Sequence, residues 1–315
     1  MRTKVREAGA HVTDDIIEKI EQLKRQRRAV ILAHNYQIGE VQDIADFTGD
    51  SLGLSVEASK TDAETIVFCG VRFMAETAAI LSPDKTVLLP DATAGCPMAD
   101  MIDAAQLASL KEKHPEALVV SYVNTTAEVK ALSDYCCTSG NALELVRQLP
   151  QGRQIIFVPD RNLGQYIIDQ TGRHMILWPG YCLTHARITA DEVAAVRASY
   201  PDAVVMAHPE CSSEVRECSD ELLSTGQMLK FAARSKHRRF VVVTEAGIIH
   251  SLKKANPDKE FMPISKRALC PNMKKINLEK VLWSLQDMQH RVTVPEDIRV
   301  RAKSALDRML EVIPK

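Results

Sequence analysis

Three cysteines recur at matching places in a threefold internal echo of this 315-residue chain: Gly95-Cys96-Pro97, Gly180-Tyr181-Cys182 and Leu269-Cys270-Pro271. Their spacings are nearly equal, so copies packed about a pseudo-three-fold axis would bring three thiols to one point. Three thiolates facing a cavity are a metal site. They fit a cubane iron–sulfur cluster with one iron lacking a protein ligand, or a Cys₃ zinc with an open fourth position. Either leaves a Lewis acid facing substrate. No Cys-x-x-Cys pair accompanies them, which argues against a zinc ribbon. The other five cysteines fall outside the echo. Cys69, Cys211 and Cys218 are expected as small buried hydrophobes, and Cys136-Cys137 is left unassigned.

Polar residues repeat with the cysteines. The runs ending in Ala33, Ser121 and Ala207 are followed by His34-Asn35-Tyr36, Tyr122-Val123-Asn124 and His208-Pro209-Glu210. At one constant distance beyond each cluster stands a small hydroxyl: Ser51, Ser139 and Thr225. These sit in Gly-containing loops expected to open helices, where backbone N–H groups receive anions. His34 and His208 can donate to a carboxylate or phosphate and exchange protons near neutral pH. Glu210 is the one carboxylate in the three clusters.

The elements that must position these groups alternate. Short apolar runs at 29–33, 117–120 and 203–206 predict strands buried on both faces, as in parallel sheets. Further strands are expected at 65–68, 154–158 and 240–243, then at 86–89, 174–178 and 260–264 before each cysteine. Helices precede each first strand: one capped by Thr13, one over 104–113, and one behind a capping box at Thr189. The expected fold class is α/β: three pseudo-three-fold-related α/β/α sandwich domains with short parallel sheets around a central cavity. The expected domains are 12–100, 101–187 and 188–275, with C-terminal helices over 276–315 packing on the body. Ligands then bind beyond the strands' carboxyl ends, where His34, Tyr122 and His208 lie.

Composition narrows the function. A net charge of −1 leaves no basic field for nucleic acid. No apolar run is long enough to span a membrane, and the N-terminus has no signal-peptide stretch. The expectation is a cytoplasmic protein with no nucleic-acid or membrane partner.

The motifs carry a resemblance from about Val30 to Lys275. Among them are Ala33-His34-Asn35-Tyr36, Gly49-Asp50-Ser51, Pro90-Asp91-Ala92-Thr93-Ala94-Gly95-Cys96, Pro159-Asp160-Arg161-Asn162-Leu163-Gly164, Ser224-Thr225-Gly226-Gln227-Met228, Thr244-Glu245-Ala246-Gly247-Ile248 and Cys270-Pro271-Asn272-Met273. As an ordered set the chain resembles the quinolinate synthase family of pyridine nucleotide synthesis. The resemblance implies a [4Fe–4S] cluster on Cys96, Cys182 and Cys270 with one open iron. It implies condensation of iminoaspartate with dihydroxyacetone phosphate to quinolinate, phosphate and water. Glu210 is then the main general acid/base, with Tyr36, Tyr122 and His208 as catalytic partners. Substrate contacts are expected at His34, Ser51, Tyr122, Val123, Asn124, Ser139, His208, Pro209, Glu210 and Thr225. Coupling to an L-aspartate oxidase and to iron–sulfur assembly machinery follows from the same likeness. Gly140 stands where the family pattern has Ala, and no extra cysteine pair flanks Cys270. A Cys₃-zinc hydrolase of phosphorylated acids and a non-catalytic dicarboxylate sensor are the competing readings.

Overall fold

In the computed structural model, the backbone of residues 2–312 and the side chains of residues 14–312 are described. The chain repeats one pattern three times. The first unit runs α1 (Arg2–Arg27), β1 (Ala29–His34), α2 (Gly39–Asp43), β2 (Phe47–Gly49), α3 (Ser51–Lys60), β3 (Thr65–Cys69), α4 (Arg72–Leu81) and β4 (Thr86–Leu88). The second runs α5 (Ala104–Lys113), β5 (Leu118–Tyr122), α6 (Ala127–Lys130), β6 (Tyr135–Cys137), α7 (Ala142–Gln148), β7 (Ile155–Val158), α8 (Arg161–Thr171) and β8 (Met175–Leu177). The third runs α9 (Ala190–Ser199), β9 (Val204–Ala207), α10 (Ser213–Glu217), β10 (Glu221–Leu222), α11 (Thr225–Arg234), β11 (Arg239–Val243), α12 (Ile248–Ala255) and β12 (Glu260–Pro263). Helices α13 (Leu278–Asp287) and α14 (Glu296–Glu311) follow.

Each unit folds as a four-stranded parallel sheet of identical order: β2-β1-β3-β4, β6-β5-β7-β8 and β10-β9-β11-β12. The α/β architecture read from the sequence is therefore the observed one. The central strands are buried along nearly their whole length, because helices cover both faces and leave no side that tolerates a polar residue. The edge strands β2, β6 and β10 were not foreseen. They have two or three residues each, with half-exposed or polar positions, and so carry no apolar run to read. One repeated side chain pins them. Asp46, Asp134 and Asp220 accept the N–H of Ile31, Val119 and Val205, each at 2.8 Å, just before the edge strand begins.

Helix starts follow local chemistry. The capping box at Thr189 is present with Glu192, and Asp103 forms an equivalent one with Gln106. The expected cap at Thr13 falls on a side chain outside the described residues; helix α1 itself begins at Arg2. Cys69 and Cys211 are buried as expected, but Cys218 is exposed. It closes the short helix α10 at the surface, where its carbonyl receives Arg197 at 2.9 Å.

The apolar interior is divided unevenly. One cluster joins the first two units to α13 and α14, while the third unit keeps separate apolar clusters on the two faces of its own sheet. Helix α14 lies on β6, α6 and α4, and α1 packs on α13. The C-terminal helices thus bind units one and two together, and polar side chains on α12 and α10 reach α2 and α8 from unit three.

Lysines stitch the loop before Cys96 to the segment after Cys270. Lys280 reaches Asp91 Oδ2 at 2.6 Å and the Lys275 carbonyl at 2.7 Å, and Lys275 Nζ donates to the Thr93 carbonyl at 2.7 Å. Burial alone would raise the Asp91 carboxyl, but hydrogen bonds from Lys280 and Thr93 outweigh it and bring it down to about 2. A depressed carboxyl stabilises the fold above its unfolded pKa of about 4, and that contribution fades as pH falls towards the folded value. Asp91→Asn is expected to cost about 1 kcal/mol at pH 7, the scale of a partly exposed pair. The deficit against wild type should shrink between pH 4 and pH 2, as read from urea unfolding of the metal-free chain.

Candidate functional site

The carboxyl ends of β1, β5 and β9 point at one cavity, and the polar cluster after each strand alternates its side chains. Backbone extended beyond a strand turns residues i and i+2 to one side and i+1 to the other. His34 and Tyr36, Tyr122 and Asn124, and His208 and Glu210 therefore line the cavity. The intervening residues turn away. Asn35 is buried with its Nδ2 donating to Thr225 Oγ1 at 3.3 Å. Val123 lies in the apolar core, and Pro209 is buried behind the wall. Val123 and Pro209 are thus the two expected substrate contacts whose side chains do not line the cavity.

Cys96, Cys182 and Cys270 face the same space, which holds about 990 Å³ of atom-free volume including its opening to solvent. Each cysteine precedes a 3-10 turn beginning three residues later: Ala99–Met101, His185–Arg187 and Met273–Lys275. Burial pushes the Cys96 thiol up to about 12. It also raises Cys182, where Glu210 adds to the effect, and Cys270. A metal taking these sulfurs must expel their protons.

Residue His185 was missed by sequence reasoning and is central. Its Nδ1 lies 2.9 Å from Glu210 Oε2, close but out of line for a linear hydrogen bond. Its Nε2 is 2.8 Å from Thr244 Oγ1, which is 2.6 Å from the Tyr36 hydroxyl. On the other side of Glu210, Tyr122 donates to Oε1 at 2.5 Å. Five side chains from three units therefore form one chain: Tyr36, Thr244, His185, Glu210, Tyr122. The positions matching His185 in the other copies are Ala99 and Met273, so a search for repeated polar residues passes over it. The available signal was the Cys182-x-x-His185 spacing. One donor atom each from Cys182, His185 and Glu210 lies within 4.8 Å of the others, close enough to hold a metal ion together.

Charge is distributed sharply. Burial works against ionised Glu210, but His185, His208 and the Tyr122 hydroxyl overcome it and hold the carboxyl below its usual range. Asp160 goes the other way: burial, then the charge on Glu210, raises it. Two buried carboxyls with pKa values pushed apart assign the negative charge to Glu210. Burial pushes His34 and His208 down to about 3, so neither titrates near neutral pH as the sequence reading expected. Their geometry agrees. His34 Nδ1 accepts the Tyr36 N–H at 3.1 Å, and His208 Nδ1 accepts the Glu210 N–H at 3.3 Å. Each neutral ring is left with its Nε2 proton to donate; that of His208 stands 3.1 Å from Ser139 Oγ.

Three helix entrances close the far wall. Ser51 and Thr225 are the first residues of α3 and α11, capped by Asp50 and Ser224, and Ser139 lies in the turn before α7. Their N–H ends and hydroxyls suit an anion. Asn124 Oδ1 is buried with no protein partner, a cost of about 1–3 kcal/mol that a ligand would relieve. Exposed Arg187 also borders the cavity.

The family model described as quinolinate synthetase A protein matches residues 18–311. A quinolinate synthase of Dehalococcoides mccartyi is 55% identical over 298 residues, covering 95% of this chain and 98% of that protein. Quinolinate synthase 1 of Methanosarcina acetivorans shows the same identity and coverage. The quinolinate synthase of Geotalea uraniireducens is 54% identical over 299 residues, covering 95% and 98%.

The helix entrances are packed to contact. A Cβ at Gly226 would stand 2.5 Å from Asp50 Oδ2, whereas one at Gly95 meets nothing within 4 Å. Gly226→Ala is expected to destabilise the metal-free chain by about 1–3 kcal/mol, and Gly95→Ala to leave its denaturation midpoint unchanged.

Proposed function

The chain belongs to the quinolinate synthetase A family, whose members act in pyridine nucleotide synthesis, and on that premise we propose that it condenses iminoaspartate with dihydroxyacetone phosphate. The observation that carries this reading is the meeting of three cysteines, one from each unit, with ionised Glu210 in a single cavity. The donor set fits a [4Fe–4S] group: three thiols whose pKa values burial raises, so that a metal must displace their protons, and no fourth cysteine among the lining residues. Cys96, Cys182 and Cys270 would hold it. When bound, the cluster supplies an iron without a protein ligand, a Lewis acid for substrate oxygen or nitrogen.

The remaining work falls to the chain's own residues. The substrates bring two carboxylates and a phosphate. Ser51, Ser139 and Thr225 at the helix entrances, with neutral Nε2–H donors on His34 and His208, receive these anions without adding a full charge. Asn124 offers its orphaned carbonyl oxygen to a substrate N–H or hydroxyl. Val123 and Pro209, whose side chains face away, would contribute through the backbone.

Glu210 is the base. Tautomerisation moves a proton between carbon and nitrogen or oxygen, and dehydration removes a proton from carbon or nitrogen and returns one to a departing hydroxyl. Glu210 Oε2 takes the proton, and His185 beside it and Tyr122 on Oε1 return the carboxyl to its ionised form afterwards. Thr244 and Tyr36 extend that path to the opposite wall. The atoms balance as quinolinate, one phosphate and two waters, so no oxidant or reductant enters. Burial of the site protects an imine that water would hydrolyse. Supply of that imine requires an aspartate-oxidising enzyme, and cluster delivery requires iron–sulfur assembly proteins, so we place the reaction in the cytoplasm.

Two measurements test the reading. Protein purified without oxygen is expected to hold about four irons with matching sulfide per chain. Cys96→Ser, Cys182→Ser or Cys270→Ser should remove most of it, while Cys69→Ser should not. Zinc without sulfide would instead favour a single ion held through Cys182, His185 and Glu210. Glu210→Gln should retain iron and lower kcat by roughly a hundredfold or more; near-normal turnover removes its assignment as base.

A further inference from the structure

The threefold repeat extends behind the cysteines, and there it is broken in an informative way. Two residues past the end of each central strand β3, β7 and β11 stand Val71, Asp160 and Glu245. They are equivalent by bonding as well as by count. The N–H of the following residue, Arg72, Arg161 or Ala246, reaches the carbonyl of Ala94, Gly180 or Ala268 at 2.8, 2.9 and 2.8 Å. Each of those carbonyls lies two residues before its cysteine. In units two and three the carboxylate then takes the cysteine's own backbone N–H: Cys182 to Asp160 Oδ2 at 3.2 Å, and Cys270 to Glu245 Oε1 at 3.1 Å. In unit one Val71 offers no acceptor, and among the described residues the Cys96 N–H has none.

Both carboxyl groups are fully buried, and burial raises both above the usual range, so each is tolerated there only where hydrogen bonds satisfy its oxygens. Each spends its second oxygen nearby: Asp160 Oδ1 accepts the Leu163 N–H at 2.7 Å, and Glu245 Oε2 accepts the Gly247 N–H at 2.7 Å. Glu245 is further matched by Lys274 at 2.9 Å. Capping α8 explains Asp160 only in part, since serine would cap as well. Nor does stability explain a buried acid where unit one manages with valine. Besides a bond to a nearby N–H at a helix start, the two acids share what Val71 lacks, a bond to a cysteine's main chain.

We infer that Asp160 and Glu245 are positioning residues for Cys182 and Cys270, each fixing its thiol through the backbone N–H, while Cys96 is held by its loop alone. This rests on the proposed cluster and deepens it. It makes two ligands rigid and one compliant. Main-chain partners that orient a metal ligand are worth roughly 10–100-fold in metal retention.

Both oxygens of Glu245 accept N–H donors and one also faces Lys274, so an amide cannot replace it; its NH₂ would face one of those donors. Asp160→Ser keeps the helix cap but cannot reach Cys182. Asp160→Ser and Glu245→Gln, loaded without oxygen, are therefore expected to release iron to a chelator roughly tenfold faster than wild type. The EPR signal of the reduced cluster should broaden. In the metal-free chain, amide exchange should speed at Cys182 in the first variant and at Cys270 in the second, with no change at Cys96. Wild-type iron release and EPR in both variants would overturn the inference and leave the cluster reading intact. A fall in Tm with iron release unaltered would also overturn it, assigning the acids to folding alone. Wild-type protein that holds no iron or sulfide would overturn the cluster reading, and this inference with it.

Discussion

Cys96, Cys182 and Cys270 can face one point only if three separate sheets aim their carboxyl ends at it, and this convergence governs the rest of the fold. Parallel sheets of identical strand order supply it, because every strand in such a sheet releases its loop on the same side. The pinning of edge strands by Asp46, Asp134 and Asp220 keeps the three copies alike where the sheet is thinnest. Units one and two are then locked by a shared apolar core and the C-terminal helices, while the third joins through polar contacts, including those of α12 with α2 and of α10 with α8.

Convergence also concentrates buried polar groups, and their energetics decide how the cavity is charged. Burial opposes every charge in it. Glu210 keeps its charge because Tyr122 and His185 flank it. His34 and His208 find no comparable support and stay neutral. The outcome around Glu210 is an ionised carboxylate with neutral His208 and Tyr122 beside it, placed to exchange a proton with substrate.

Symmetry is kept where geometry needs it and broken where chemistry does. Small hydroxyls recur at all three helix entrances, and a 3-10 turn follows each cysteine. At the turn's first residue, however, only the second copy has a titratable side chain, His185 between Ala99 and Met273. Two of three cysteines have an acid behind them. A repeat thus delivers the scaffold, and departures from it mark where one copy has taken on a distinct task.

Much of this was legible in the sequence. The central strands announced themselves as unbroken apolar runs, because burial on both faces allows nothing else there. The three cysteines, the polar clusters and the hydroxyls were found by recurrence alone, since equivalent positions in repeated units must meet around a common axis. The edge strands stayed hidden, being two or three residues held by a neighbour's hydrogen bonds rather than by their own composition. Tertiary structure alone decided which members of each cluster face the cavity, that Val123 and Pro209 turn away, and that His185 completes the path from Tyr36 to Tyr122. It also decided that His34 and His208 are neutral. Residue type and spacing determine which groups are available to meet; their protonation and partners depend on desolvation and on side chains from other units, which no local pattern encodes.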